Sequence, residues 1–170
     1  ITSFSKVLSY WSKKSDFTLN ITLFNRLQVH RDINNILGDF TSLNLLEINL
    51  DNSKNFYENS INIQKQLIED IDNRYFGGVS VLRELARLKG LEASFMPVVF
   101  TSMVGNNGFD FNSLLGKIVY SITQTPQVWL DHQVAEINEE LVFNWDYLEH
   151  INNKKMIKAM FEAYCNLLEE

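Results

Sequence analysis

Pro97-Val98-Val99-Phe100-Thr101-Ser102 and, farther along, Gln124-Thr125-Pro126-Gln127-Val128-Trp129-Leu130-Asp131-His132-Gln133 are the stretches on which the reading of this chain turns. Each predicts a short, mostly apolar strand with a polar group embedded in it, Thr101 in the first and Asp131 in the second. A hydroxyl and a carboxylate in strands that otherwise read as buried need a reason, because an unpaired polar group in an apolar interior costs roughly 1–3 kcal/mol. Either the two satisfy each other, or they face a channel.

Outward from these strands, helical and strand periods alternate. Val7 to Trp11 reads as the end of a helix, after which Leu19, Ile21 and Leu23 alternate with Thr18, Asn20 and Thr22, the period-two mark of a half-buried strand. A turn-rich passage from Gln28 to Asp39 leads to Phe40–Leu50, where Leu43, Leu45, Ile48 and Leu50 predict a second, more deeply buried strand. Phe56, Ile63, Leu67, Ile71 and Tyr75 then recur at helical spacing, predicting a long amphipathic helix from Asn55 to Tyr75. Gly77-Gly78 breaks it, and Val79, Leu82, Leu85 and Leu88 continue as a second helix that stops at Gly90. After a loop from Gly105 to Gly108, Phe111 to Tyr120 is either a short helix or an irregular apolar segment. Val128–Ile137 and Leu141–Tyr147, parted by Asn138-Glu139-Glu140, predict a β-hairpin. Met156, Met160, Tyr164 and Leu167, beside Ile157, Phe161 and Leu168, predict a closing amphipathic helix. The alternation predicts a single α/β or α+β layer domain without internal repeats.

Composition excludes several functions. The 170 residues suffice for one domain with a real core. A net charge of −6 with fifteen scattered Lys and Arg argues against a nucleic-acid footprint. The longest clean apolar run, Phe95 to Phe100, contains Pro97 and falls far short of the ~20 residues that cross a bilayer, so a soluble protein without a membrane partner is expected. One cysteine, Cys165, cannot form an internal disulfide, and no leader pattern opens the sequence, which predicts a reducing, cytoplasmic setting. The opening Ile1 is expected to mark a piece of a longer protein.

The chemical candidates narrow by elimination. His30, His132 and His150 show no metal-ligand spacing, so no metal is expected. Neither glycine cluster has the Lys-Ser/Thr ending of a phosphate loop, and no Gly-x-Ser-x-Gly elbow is present. Cys165 reads as a small packed hydrophobe on a helix. Thr101 and Asp131 are left, and the residues alone favour the bland reading, in which Thr101 bonds to neighbouring backbone and Asp131 ends a strand or binds a turn. Asp39, in Gly38-Asp39-Phe40-Thr41, is open to the same bland reading as a turn cap, and Asn144-Trp145-Asp146 to that of a hairpin end.

Five blocks in order, Phe17 to Arg26, Gly38 to Leu43, Pro97 to Ser102, Gln124 to Gln133 and Asn144-Trp145-Asp146, closely resemble the heterocyclization domains of nonribosomal peptide synthetases, and the resemblance runs over essentially the whole chain. It implies a fold like chloramphenicol acetyltransferase, with two α/β lobes, each a mixed sheet covered by helices, and a channel between them. Residues 1–170 resemble the C-terminal lobe alone, since the aspartate motif of the N-terminal lobe is missing. Thr123, where a Ser is usual before Gln124, is a mild departure.

The implied reaction joins a carrier-bound acyl or peptidyl thioester to the amine of a carrier-bound Cys, Ser or Thr. The side chain then closes onto the new amide and water leaves, giving a thiazoline or oxazoline of the kind found in siderophores and other natural products. By the resemblance, Asp131 matches the family's catalytic Asp, moving protons, and Thr101 its partner, holding the Asp or the departing hydroxyl by hydrogen bonding. Gln124 and Gln127 are implied substrate-binding groups, with Thr41 and Asp39 shaping the channel wall. No cofactor binds directly, because substrates arrive on the 4′-phosphopantetheine of carrier proteins. The implied partners are peptidyl or aryl carrier domains, the N-terminal lobe and an adjoining adenylation domain. The isolated lobe, expected to be inactive, would expose the face that meets its partner lobe, so a homodimer through that face is a further expectation. A plain condensation or acyltransferase domain and a non-catalytic carrier-docking lobe are the alternatives.

Overall fold

The computed structural model describes residues 1–105, 119–123, 125–137 and 140–169. Its elements follow the predicted order: α1 (Thr2–Ser12), β1 (Asp16–Phe24), β2 (Thr41–Asn49), α2 (Phe56–Asp72), α3 (Gly78–Lys89), β3 (Val98–Met103), β4 (Leu130–Ile137), β5 (Glu140–Tyr147) and α4 (Lys154–Glu169). The strands form one sheet in the order β2-β1-β3-β4-β5. The outer pairs are antiparallel, and β3 runs parallel to both its neighbours. This mixed sheet with helices bears out the α/β layer expectation.

Local chemistry sets the ends of the helices. Asn55 and Glu58 form a reciprocal capping box at the start of α2, each side chain taking the other's backbone N–H. Gly78 opens α3 against β2 so closely that a Cβ there would lie 2.7 Å from the Leu43 carbonyl oxygen, an approach only glycine permits. Gly90, at φ +88°, ends α3 in the left-handed region.

One face of the sheet carries the core. Phe4 from α1, Ile63 from α2 and Ile157, Met160 and Tyr164 from α4 pack against Leu19, Leu46, Phe100, Leu130 and Trp145 from the five strands. Each such side chain contributes roughly 1.5–3 kcal/mol when fully buried.

Three expectations change. β2 is an edge strand rather than a deeply buried one: Leu46 and Ile48 enter the core, while α3 packs beside Leu43, so helices on both sides account for the apolar run. The helix expected to reach Tyr75 ends at Asp72, leaving Tyr75 79% exposed. On α4 the buried stripe is Ile157, Met160 and Tyr164, with Met156 and Leu168 exposed. The readings of residues 106–118 and of the 138–139 turn lie outside the described residues.

His132 sits at the middle of the core, fully buried, stacked on Phe100 at 4.5 Å and edge-on to Phe4 at 4.7 Å and Tyr164 at 5.1 Å. Neither ring nitrogen has a hydrogen-bond partner among the described residues, and burial pushes the imidazole down to about 4 from 6.5, so the folded protein holds it neutral. Between those two values the unfolded chain takes the proton and the folded chain does not, so stability falls as pH drops. We expect urea unfolding to show a loss of roughly 2–3 kcal/mol between pH 7 and 4.5 from this group. His132→Phe should shrink the loss by that amount; an equal loss in the variant would contradict the assignment.

Candidate active site

The face of the sheet away from the aromatic core carries two polar rows, and the strand register builds both. Asn20, Val99, Asp131 and Asp146 are successive cross-strand partners from β1 to β5, and Thr22, Thr101, Gln133 and Asn144 form the next row. Because side chains alternate along a strand, Phe100, His132 and Trp145 point into the core while their neighbours occupy this opposite face. Thr101 and Asp131 therefore share a face but stand in different rows.

They do not satisfy each other. The Thr101 hydroxyl donates to Thr22 Oγ1 at 2.9 Å. Asp131 Oδ2 accepts from the Thr123 hydroxyl at 2.7 Å and from Gln133 Nε2 at 3.2 Å, while Asp131 Oδ1 is buried without a partner among the described residues. Asn20, also in the first row, donates through Nδ2 to the Met96 carbonyl at 2.6 Å and leaves its own Oδ1 buried and unpartnered. Asp131 is only 7% exposed, and among the described residues no Lys or Arg pairs with it.

Thr101 and Asp131 both line a cavity of ≈ 440 Å³ between this face and the segments 94–96 and 125–128. Thr41 and Gln127 line it too, Gln127 with a left-handed backbone at φ +67°. Asp39 does not: it is exposed, accepts the Thr41 backbone N–H at 2.8 Å, and is held below the usual carboxylate range by its hydrogen bonds from Thr41. Its observed work is the bland one, capping the turn that delivers Thr41. Gln124 lies outside the described residues. Cys165 is half-buried on α4 with its thiol pushed up, chiefly by burial, away from the reactive range. Among the described residues no group of His, Cys, Asp and Glu could hold a metal, and no helix is long and apolar enough to cross a membrane.

Residues that the sequence reading passed over complete the arrangement. Thr22, Gln133 and Asn144 form the second polar row with Thr101, and Thr123 bridges Asp131 and Asp146. The signal for the rows was present in the alternation of Thr18, Asn20 and Thr22 with leucine and isoleucine, and of Asn144 and Asp146 with Phe143 and Trp145.

No family model matches the sequence. The chain is 39% identical over 173 residues to bacitracin synthase 1 of Bacillus licheniformis, covering 99% of this chain and 3% of that protein. It is 38% identical over 174 residues to pyochelin synthetase PchF of Pseudomonas aeruginosa, covering 99% of this chain and 9% of that one. Among solved structures, the EpoB cyclization-docking bidomain of the nonribosomal peptide synthetase from Sorangium cellulosum superposes with a TM-score of 0.82 at 40% identity, over 98% of this chain and 34% of that chain. The chain belongs to the heterocyclization-type domains of nonribosomal peptide synthetases. It spans at most about a third of these relatives.

Four of the blocks that resemble heterocyclization domains meet at the one cavity, through Asn20 and Thr22, Thr41 and Leu43, Val99 and Thr101, and Gln127 and Asp131. Asp146, from the fifth block, lines an adjoining cavity of ≈ 540 Å³ that Asp131 also borders. A buried carboxylate with no cation and one bare oxygen is a cost to the fold, of the kind functional sites carry. We therefore expect Asp131→Asn to raise the urea midpoint, by ~1 kcal/mol in stability. A fall of that size would mean that the charge serves the fold.

Proposed function

We propose that this chain is the C-terminal lobe of a heterocyclization domain. In this reading the complete domain condenses a carrier-bound acyl or peptidyl thioester with carrier-bound Cys, Ser or Thr and cyclodehydrates the product to a thiazoline or oxazoline. The observation that carries it is the cavity lined by both Thr101 and Asp131, beside two buried acceptors, Asp131 Oδ1 and Asn20 Oδ1, that have no donor among the described residues. A substrate amide N–H is the kind of donor they lack.

In the condensation step the amine nitrogen bonds to the thioester carbon and the carrier thiol leaves. The Cys, Ser or Thr side chain then bonds to the new amide carbon, whose oxygen becomes a hydroxyl. The Asp131 carboxylate takes the ring N–H proton and gives it to that hydroxyl as the carbon–oxygen bond breaks, so one water departs and the carboxylate returns to its starting state. Thr101, hydrogen-bonded to Thr22 and one row from Asp131, is suited to hold the departing oxygen rather than the Asp, with Thr22 Oγ1 accepting its hydrogen bond between turnovers. Thr41 and Gln127 bind substrate along the cavity, Asp39 acts through Thr41, and Gln124 keeps its role from the family resemblance alone. The phosphopantetheine arms belong to the carrier domains, which with the N-terminal lobe and an adenylation domain are the proposed partners.

Mass spectrometry of carrier-bound product from the complete module tests the reading. A ring product, one water lighter than the linear amide, is expected; a linear amide alone would favour a plain condensation domain. Asp131→Ala and Thr101→Ala should slow ring formation by about 10²–10⁴-fold and let the linear amide accumulate. Ring release at the normal rate from either variant would remove that residue from the chemistry.

A further inference from the structure

Among the described residues Thr123 makes the shortest side-chain hydrogen bond to Asp131, yet it comes from a segment without regular structure. Its hydroxyl oxygen lies 2.7 Å from Asp131 Oδ2 and 2.9 Å from Asp146 Oδ2, and it accepts from Gln133 Nε2 at 3.1 Å. Its backbone N–H donates to the same Asp146 oxygen at 2.8 Å. Asn144 Nδ2 donates to Asp146 Oδ1 at 3.3 Å.

These contacts have an order. Asp131 and Asp146 are direct cross-strand partners on β4 and β5, and two carboxylates side by side repel unless a donor stands between them. Asp146 takes the main-chain N–H of Thr123 and so pins the segment in place. The pinned hydroxyl has one proton to give, and at 2.7 Å Asp131 Oδ2 is its nearer acceptor. Among the described residues every hydrogen bond to Asp131's side chain falls on Oδ2, and none falls on Oδ1.

We propose that Thr123 is the positioning residue of Asp131: anchored by Asp146, its hydroxyl holds one carboxyl oxygen and fixes the rotamer that keeps the other oxygen open for the substrate. This rests on the proposed cyclodehydration and adds to it a residue that touches no reacting atom. A serine would supply the same hydroxyl, whereas valine keeps the shape of threonine and removes it.

The test measures linear amide and ring product from the same complete module by mass spectrometry. Thr123→Val should lower ring formation about 10- to 100-fold relative to amide formation, and Thr123→Ser should bring it back to within about threefold of the original. A valine variant with an unchanged ring-to-amide ratio overturns the assignment, and so does a serine variant as impaired as the valine one, which would point to the methyl group. A valine variant that loses amide and ring together also overturns it, because the hydroxyl would then be holding the fold. If the unaltered module yields linear amide alone, the cyclodehydration reading itself fails, an outcome distinct from a ring-forming module indifferent to Thr123.

Discussion

The parallel register of β3 against β4 is the constraint from which the site follows. Phe100 stacks on His132 across that register, with Phe4 and Tyr164 closing around the pair, and this places Val99 opposite Asp131 and Thr101 opposite Gln133 on the other face. A slip of one residue would exchange the faces of β4, driving the Asp131 carboxylate into four aromatic rings and turning a core ring toward the cavity. The aromatic cluster thus holds the sheet together and also decides which face carries Thr101 and Asp131. Parallel strands have no short turn to set their pairing, so packing of this kind has to do it.

The two faces divide the energetic terms. The core face gains from burying Phe4, Leu19, Leu46 and Ile48 completely, and it tolerates His132 only as a neutral ring. The opposite face leaves Asp131 Oδ1 and Asn20 Oδ1 without donors, each a cost of roughly 1–3 kcal/mol that the core must offset. Unmet hydrogen bonds two strands apart, in one row of a sheet and under one cavity, fit a surface shaped for something that arrives later.

How much of this was legible in the sequence depended on range. β1 was readable because its alternation is local, and α2 and α3 because their helical spacing is local and Gly77-Gly78 and Gly90 punctuate it. The edge position of β2 was not readable: an apolar run looks alike whether neighbouring strands or helices cover it. Thr101 and Asp131 could be placed on strands, but whether they touched depended on a pairing between distant segments, and the register separates them by one row. Asp39 and Thr41, two residues apart, have different surroundings because the first caps the turn and the second begins the strand. Thr123 drew notice only as a departure from the usual Ser, since its work depends on Asp131 and Asp146 meeting across β4 and β5.

The proposed reaction puts the substrate on the Thr101–Asp131 face, not on the His132 face. The most direct measurement is a side-chain NMR titration of the complete domain, carrying ¹³C at the Asp131 carboxyl, the Thr101 methyl and the His132 ring, with an acylated cysteinyl-pantetheine amide. Saturable shifts at Asp131 and Thr101 with His132 unmoved are predicted. Shifts confined to other surfaces, or no change at the carboxyl at saturating ligand, would contradict the account.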